Sequence, residues 1–92
     1  MIIAVDFDGT LCDNKRANYK LIAWLKQSQR KGDVVILWTC REGERLREAV
    51  LFLQSVGFRP NYVNCNAPQT IQKWGDSRKV YADVYIDDKS VK

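Results

Sequence analysis

At 92 residues the chain has room for one small domain and none for a second. Its apolar share of 46% is that of an ordinary globular protein and excludes a disordered chain. A net charge of +4 suits anionic ligands such as phosphates but is too small and scattered to specify nucleic acid by itself, and the lack of histidine removes the commonest general base and the usual zinc ligand.

Ile2 to Val5 is a mainly β-branched apolar run, which predicts a strand buried on both faces. It stops at two carboxylates, Asp6 and Asp8. Continued as a strand, these would share one face while Phe7 turns into the core. Carboxylates so close repel unless a cation lies between them, and a hard cation with oxygen ligands, Mg2+, resolves that repulsion. Gly9 lets the backbone approach a ligand, and Thr10 adds a hydroxyl to a turn. Cys12-Asp13-Asn14 reads as a loop offering caps, and residues 15 to 30 as a helix with Ala17, Leu21, Trp24, Leu25 and Ser28 on its inward stripe. Trp24 belongs to the core on this reading, while Trp38 and Trp74 suit core or interface.

Val34 to Thr39 is a second buried strand, followed by the polar turn Cys40-Arg41-Glu42-Gly43-Glu44. A second helix runs to about Val56, with Leu46, Ala49, Val50 and Leu53 inward and Gly57 as its cap. Tyr62 to Asn64 is a short third strand, Pro68 opens a short helix to about Trp74, and Tyr81 to Ile86 is the last strand, ending at Asp87-Asp88. Alternating strands and helices predict an α/β domain with a parallel sheet of about four strands, ordered 3-2-1-4. Ligands of such sheets bind at the carboxyl edge where strand order reverses, which gathers Asp6, Asp8, Asp87 and Asp88. Three dispersed cysteines, no signal peptide and no membrane-length apolar run predict a reduced cytoplasmic protein.

Asp6-Phe7-Asp8-Gly9-Thr10-Leu11 resembles the first motif of the haloacid dehalogenase (HAD) superfamily of aspartate-nucleophile phosphohydrolases. Thr39 resembles its second motif and Asp87-Asp88 its fourth, while Lys79, with Arg78 and Lys73 as alternatives, supplies the cation of the third. The resemblance implies a Rossmann-like fold and a Mg2+-dependent phosphomonoesterase. Asp6 is then the nucleophile forming an aspartyl-phosphate, and Asp8 the general acid and base. Thr39 and Lys79 would hold the phosphoryl group. Asp6, Asp8 through its main-chain carbonyl, Asp87 and Asp88 would hold the metal. Gly9, Thr10, Arg41, Asn64 and Asn66 are candidate substrate contacts at the same edge. Helix-start pairing is an equal alternative for Arg41, and turn capping is the favoured one for the two asparagines.

The 31 positions from Asp8 to Thr39 and the 40 from Thr39 to Lys79 leave no room for the cap domain that many HAD enzymes carry. A single capless domain over residues 1–92 is expected, short at its C terminus or lacking a further segment. Its substrate would be an exposed phosphate, small-molecule or macromolecular, with a nucleotide or nucleic-acid end among the candidates and a homo-oligomer as one way to cover the site. Two alternatives stay open: a non-catalytic module binding Mg2+, phosphate or a partner protein, and a phosphotransferase.

Overall fold

The apolar runs become neighbouring strands because each must bury both faces. The computed structural model describes residues 1–74 and 80–87. Strands β1 (Ile2–Val5), β4 (Val34–Leu37), β5 (Tyr62–Val63) and β6 (Val84–Ile86) form a parallel sheet in the order β5-β4-β1-β6. A two-stranded hairpin, β2 (Cys12–Asp13) and β3 (Arg16–Ala17), stands apart from it. Helices α1 (Tyr19–Arg30), α2 (Gly43–Ser55) and α3 (Pro68–Trp74) complete the α/β arrangement. Among the described residues, no helix is long and apolar enough to cross a membrane.

Strand alternation divides the core in two. Ile3, Val5, Val35 and Leu37 face one way and pack with Ile22 and Leu25 of α1, Ala49 and Leu53 of α2, and Phe58. Ile2, Ala4 and Ile36 face the other way, toward Ala67, Val80 and Ala82. α2 ends in a left-handed Gly57, φ 82°, whose N–H donates to the Gln54 carbonyl while Phe58 N–H donates to Leu53. These paired bonds close the helix and deliver Phe58 into the core, where it is buried.

Three boundaries differ by about two residues or more from those the sequence predicts. α1 begins at Tyr19 and not at residue 15, because the preceding segment pairs with itself: Cys12 with Ala17 and Asp13 with Arg16. Asn14 and Lys15 turn this hairpin with φ of 52° and 65°, consecutive left-handed residues that match strand twist. Asn18 then caps α1, its Oδ1 accepting from Leu21 N–H at 3.2 Å. The helix therefore buries Ile22, Leu25 and Ser28, and Trp24 is 45% exposed, not core. β4 stops at Leu37, so Trp38 is exposed and sets its ring edge-on to Tyr85 at 5.8 Å. β6 begins only at Val84, because Tyr85 Oη donates to Val80 O and accepts from Ala82 N–H, holding residues 80–82 off the ladder. The side chain of Trp74 lies outside the described residues.

Candidate functional site

Parallel pairing brings three chain segments to one edge. Val5 is in register with Leu37 on one side and Ile86 on the other. The residues that follow them therefore leave the sheet side by side, about 4.8 Å apart from strand to strand. Asp6 N–H donates to the Ile86 carbonyl at 2.9 Å, which places Asp6 beside Asp87. Asp6 Oδ1 also accepts from the Phe7 N–H at 2.9 Å.

β1 ends at Val5, so strand alternation does not govern Asp6 and Asp8. A tight loop does. The Phe7 carbonyl accepts from the N–H groups of Thr10, Leu11 and Cys12, and Gly9 turns the chain at φ 78°. Phe7 and Leu11 are thereby buried, while Asp8 points outward with 55% of its side chain exposed.

Asp8 is engaged by Arg41. The guanidinium grips it bidentately, Nε to Oδ2 at 2.9 Å and Nη2 to Oδ1 at 2.8 Å. Its Cζ lies 4.8 Å from the Phe7 ring centroid, and Nη1 donates to the Arg45 carbonyl at 3.2 Å. These hydrogen bonds, helped by the fields of Arg41 and Arg45, hold the Asp8 carboxyl below the usual carboxylate range. They also raise the Arg41 pKa further. The ion pair of Arg41 is therefore made with the first motif, not with an acidic residue at the start of α2. The contribution of Arg45 is not signalled by the sequence motifs, and only its place one turn beyond Arg41 hints at it.

Thr39 follows β4 at this edge. Its Oγ1 accepts from Arg41 N–H at 3.2 Å, and its own N–H donates to Asn64 Oδ1 at 2.8 Å. Asn64 therefore ties the end of β4 to the end of β5, which corrects the capping expected of it. Asn66 is corrected too. It is buried, 3% exposed, and its Oδ1 accepts from Tyr81 N–H at 2.7 Å, so it braces two chain segments inside the protein. Thr10 is likewise buried, and its hydroxyl has no hydrogen-bond partner among the described residues.

Of the three candidate cations, Lys79, Arg78 and the side chain of Lys73 lie outside the described residues, as does Asp88. Cys40 and Cys65 are exposed and Cys12 partly so. Among the described residues, no group of three or more His, Cys, Asp or Glu is placed to hold a metal ion. What the edge offers is a pair of oxygen donors, Asp6 and Asp87 just past the ends of adjoining strands, with no histidine anywhere in the chain. That donor chemistry fits a hard cation and does not fit zinc.

No family model and no curated protein matches the chain. A solved structure does: a conserved protein of Bacteroides thetaiotaomicron is 38% identical, with a TM-score of 0.81 over 99% of this chain and 78% of that one.

Proposed function

This chain belongs to the same family as that Bacteroides thetaiotaomicron protein, and from the residues at its carboxyl edge we propose that it is a capless HAD-type phosphatase, a hydrolase of phosphate monoesters. The observation that carries this reading is the meeting of Asp6 with Asp87 at the edge where Thr39 and Asp8 also emerge. In the proposed reaction an Asp6 carboxylate oxygen attacks phosphorus and the bond to the leaving oxygen breaks, with Asp8 delivering the proton that oxygen needs. Asp8 then takes a proton from water, which attacks phosphorus, frees phosphate and restores Asp6. Thr39 donates its hydroxyl hydrogen to a phosphoryl oxygen, which its accepted bond from Arg41 N–H leaves possible. Lys79, or Arg78 or Lys73 in its place, balances the phosphoryl charge. Asp6, the Asp8 carbonyl, Asp87 and Asp88 would hold Mg2+, which when bound offsets charge on the transferring group.

The test is hydrolysis of an aryl phosphate with and without Mg2+. Turnover should require the metal, vanish in Asp6→Asn, and fall by roughly 10²–10⁴ in Asp8→Asn. Undiminished turnover in Asp6→Asn would remove Asp6 as the nucleophile. One observation favours a second reading, a non-catalytic module that binds Mg2+ or phosphate. Asp8 is already engaged by Arg41, an arrangement that suits a static ion pair better than a waiting proton donor. A folded protein that binds Mg2+ yet turns over no phosphate ester would decide for it.

A further inference from the structure

Small as the net charge is, its positive part is densest in one stretch. Residues 15 to 31 contain six Lys or Arg and no Asp or Glu, so a net charge of +4 leaves the remainder at net −2. Most of that stretch is α1, whose inward face is Ile22, Leu25 and Ser28. Its outer face consists of two adjoining rows at helical spacing, Tyr19, Ala23, Lys26 and Arg30 in one and Lys20, Trp24, Gln27 and Lys31 in the other. Each row holds one aromatic ring and two cations. All but Lys26 are exposed, Tyr19 at 68% and Trp24 at 45%. The first row, with Ile22, Gln27 and Val56, lines an open groove of about 590 Å³.

A cationic helix face needs no exposed tryptophan in order to be solvated. Cations set beside exposed aromatic rings suit a polyanion whose flat groups are available for stacking, and that describes single-stranded nucleic acid. Duplex bases are already stacked. A membrane surface would instead call for a continuous apolar face turned outward, whereas Leu21, Ile22 and Leu25 of α1 pack on the core. We propose that the outer face of α1 binds single-stranded nucleic acid, with Lys20, Lys26, Arg30 and Lys31 tracking phosphates and Tyr19 and Trp24 stacking on bases. This binding is independent of the hydrolytic reading, since none of these residues belongs to the carboxyl-edge site.

The experiment is fluorescence anisotropy of a short labelled oligothymidylate titrated with the full chain at rising salt. Four phosphate contacts predict a log–log salt slope of roughly −3, at about −0.7 per contact. Trp24→Ala should weaken binding roughly tenfold with the slope unchanged, and Trp24→Phe should recover most of the loss. Lys20→Ala combined with Lys31→Ala should cut the slope to about half. Arg47→Ala, an exposed cation of α2, serves as the control for diffuse charge and should change little. Asp6→Asn should bind the oligonucleotide as the wild type does, so that loss of turnover and loss of binding are separable. No binding at low salt by chains with wild-type circular dichroism would overturn the proposal. So would α1 variants that bind no worse than Arg47→Ala, or equal affinity for an oligoglutamate peptide of matched charge.

Discussion

Arg41 determines what Asp8 can do. Held on two oxygens and supported by the Phe7 ring and the Arg45 carbonyl, the guanidinium keeps Asp8 ionised at neutral pH. A carboxylate with a lowered pKa is a weaker base and carries a proton rarely near neutrality, so a general-acid role for Asp8 calls for an incoming anion to draw the Arg41 fork away. The pair also has a signature in stability. Because Asp8 is held below its ordinary value of 3.8, its contribution is complete above that value and disappears as pH falls through the lowered one. The Tm difference between wild type and Asp8→Asn should therefore be constant near neutrality and close below about pH 4. With Asp8 half exposed, screening limits the contribution to a few tenths of a kcal/mol, about that of other surface pairs. A difference that grows in acid would refute the pairing. Arg41→Lys should lose most of the effect, since an ammonium cannot make the forked contact.

At the scale of elements, the instructive case is the entry to α1. A helix was legible there from its periodicity, yet its start and phase were not. Residues 12 to 17 satisfy their backbone groups across the hairpin, and Asn18, N-H-bonded to the Leu11 carbonyl, begins the helix instead. Its side chain serves twice, with Oδ1 capping Leu21 and Nδ2 donating to the Thr10 carbonyl, which joins α1 to the loop that carries Asp8. Asn18→Ala should accordingly cost about 1 kcal/mol in thermal unfolding. Trp24→Ala should cost little, whereas Leu25→Ala should cost about 2–5 kcal/mol because Leu25 is fully buried. Should the two costs be reversed, the inward face has been misassigned. α2 offered no such difficulty, because Gly57 closes it where a left-handed glycine cap was expected.

Over the whole molecule, the sheet brings residues of distant segments to one edge by holding its strands in register. A domain this small buries a modest share of its surface, so a ligand that binds only the folded state adds visibly to stability. If Asp6 and Asp87 hold a cation as proposed, Mg2+ at a hundred times its Kd should add about 2.7 kcal/mol and raise Tm, with chelator reversing the shift. Asp87→Asn should abolish most of that rise without altering the sheet. An unchanged Tm across a wide Mg2+ range would count against the metal site, whatever the turnover assays show.

The sequence by itself determined that the chain is α/β with a parallel sheet, and that its acidic residues follow buried strands. Those features are written in local patterns of apolar runs, helical periods and breakers such as Gly57 and Pro68. Only the tertiary structure decided which side chains become partners. Arg41 and Asp8 are 33 positions apart and Asn66 and Tyr81 are 15 apart, and no local rule relates them. Such pairings arise when strand register brings loop ends together and each buried or crowded polar group must find a partner there. That requirement turned Asn66 inward as a brace and Asn64 into a tie between strands, and it set Arg41 on the carboxylate of the first motif.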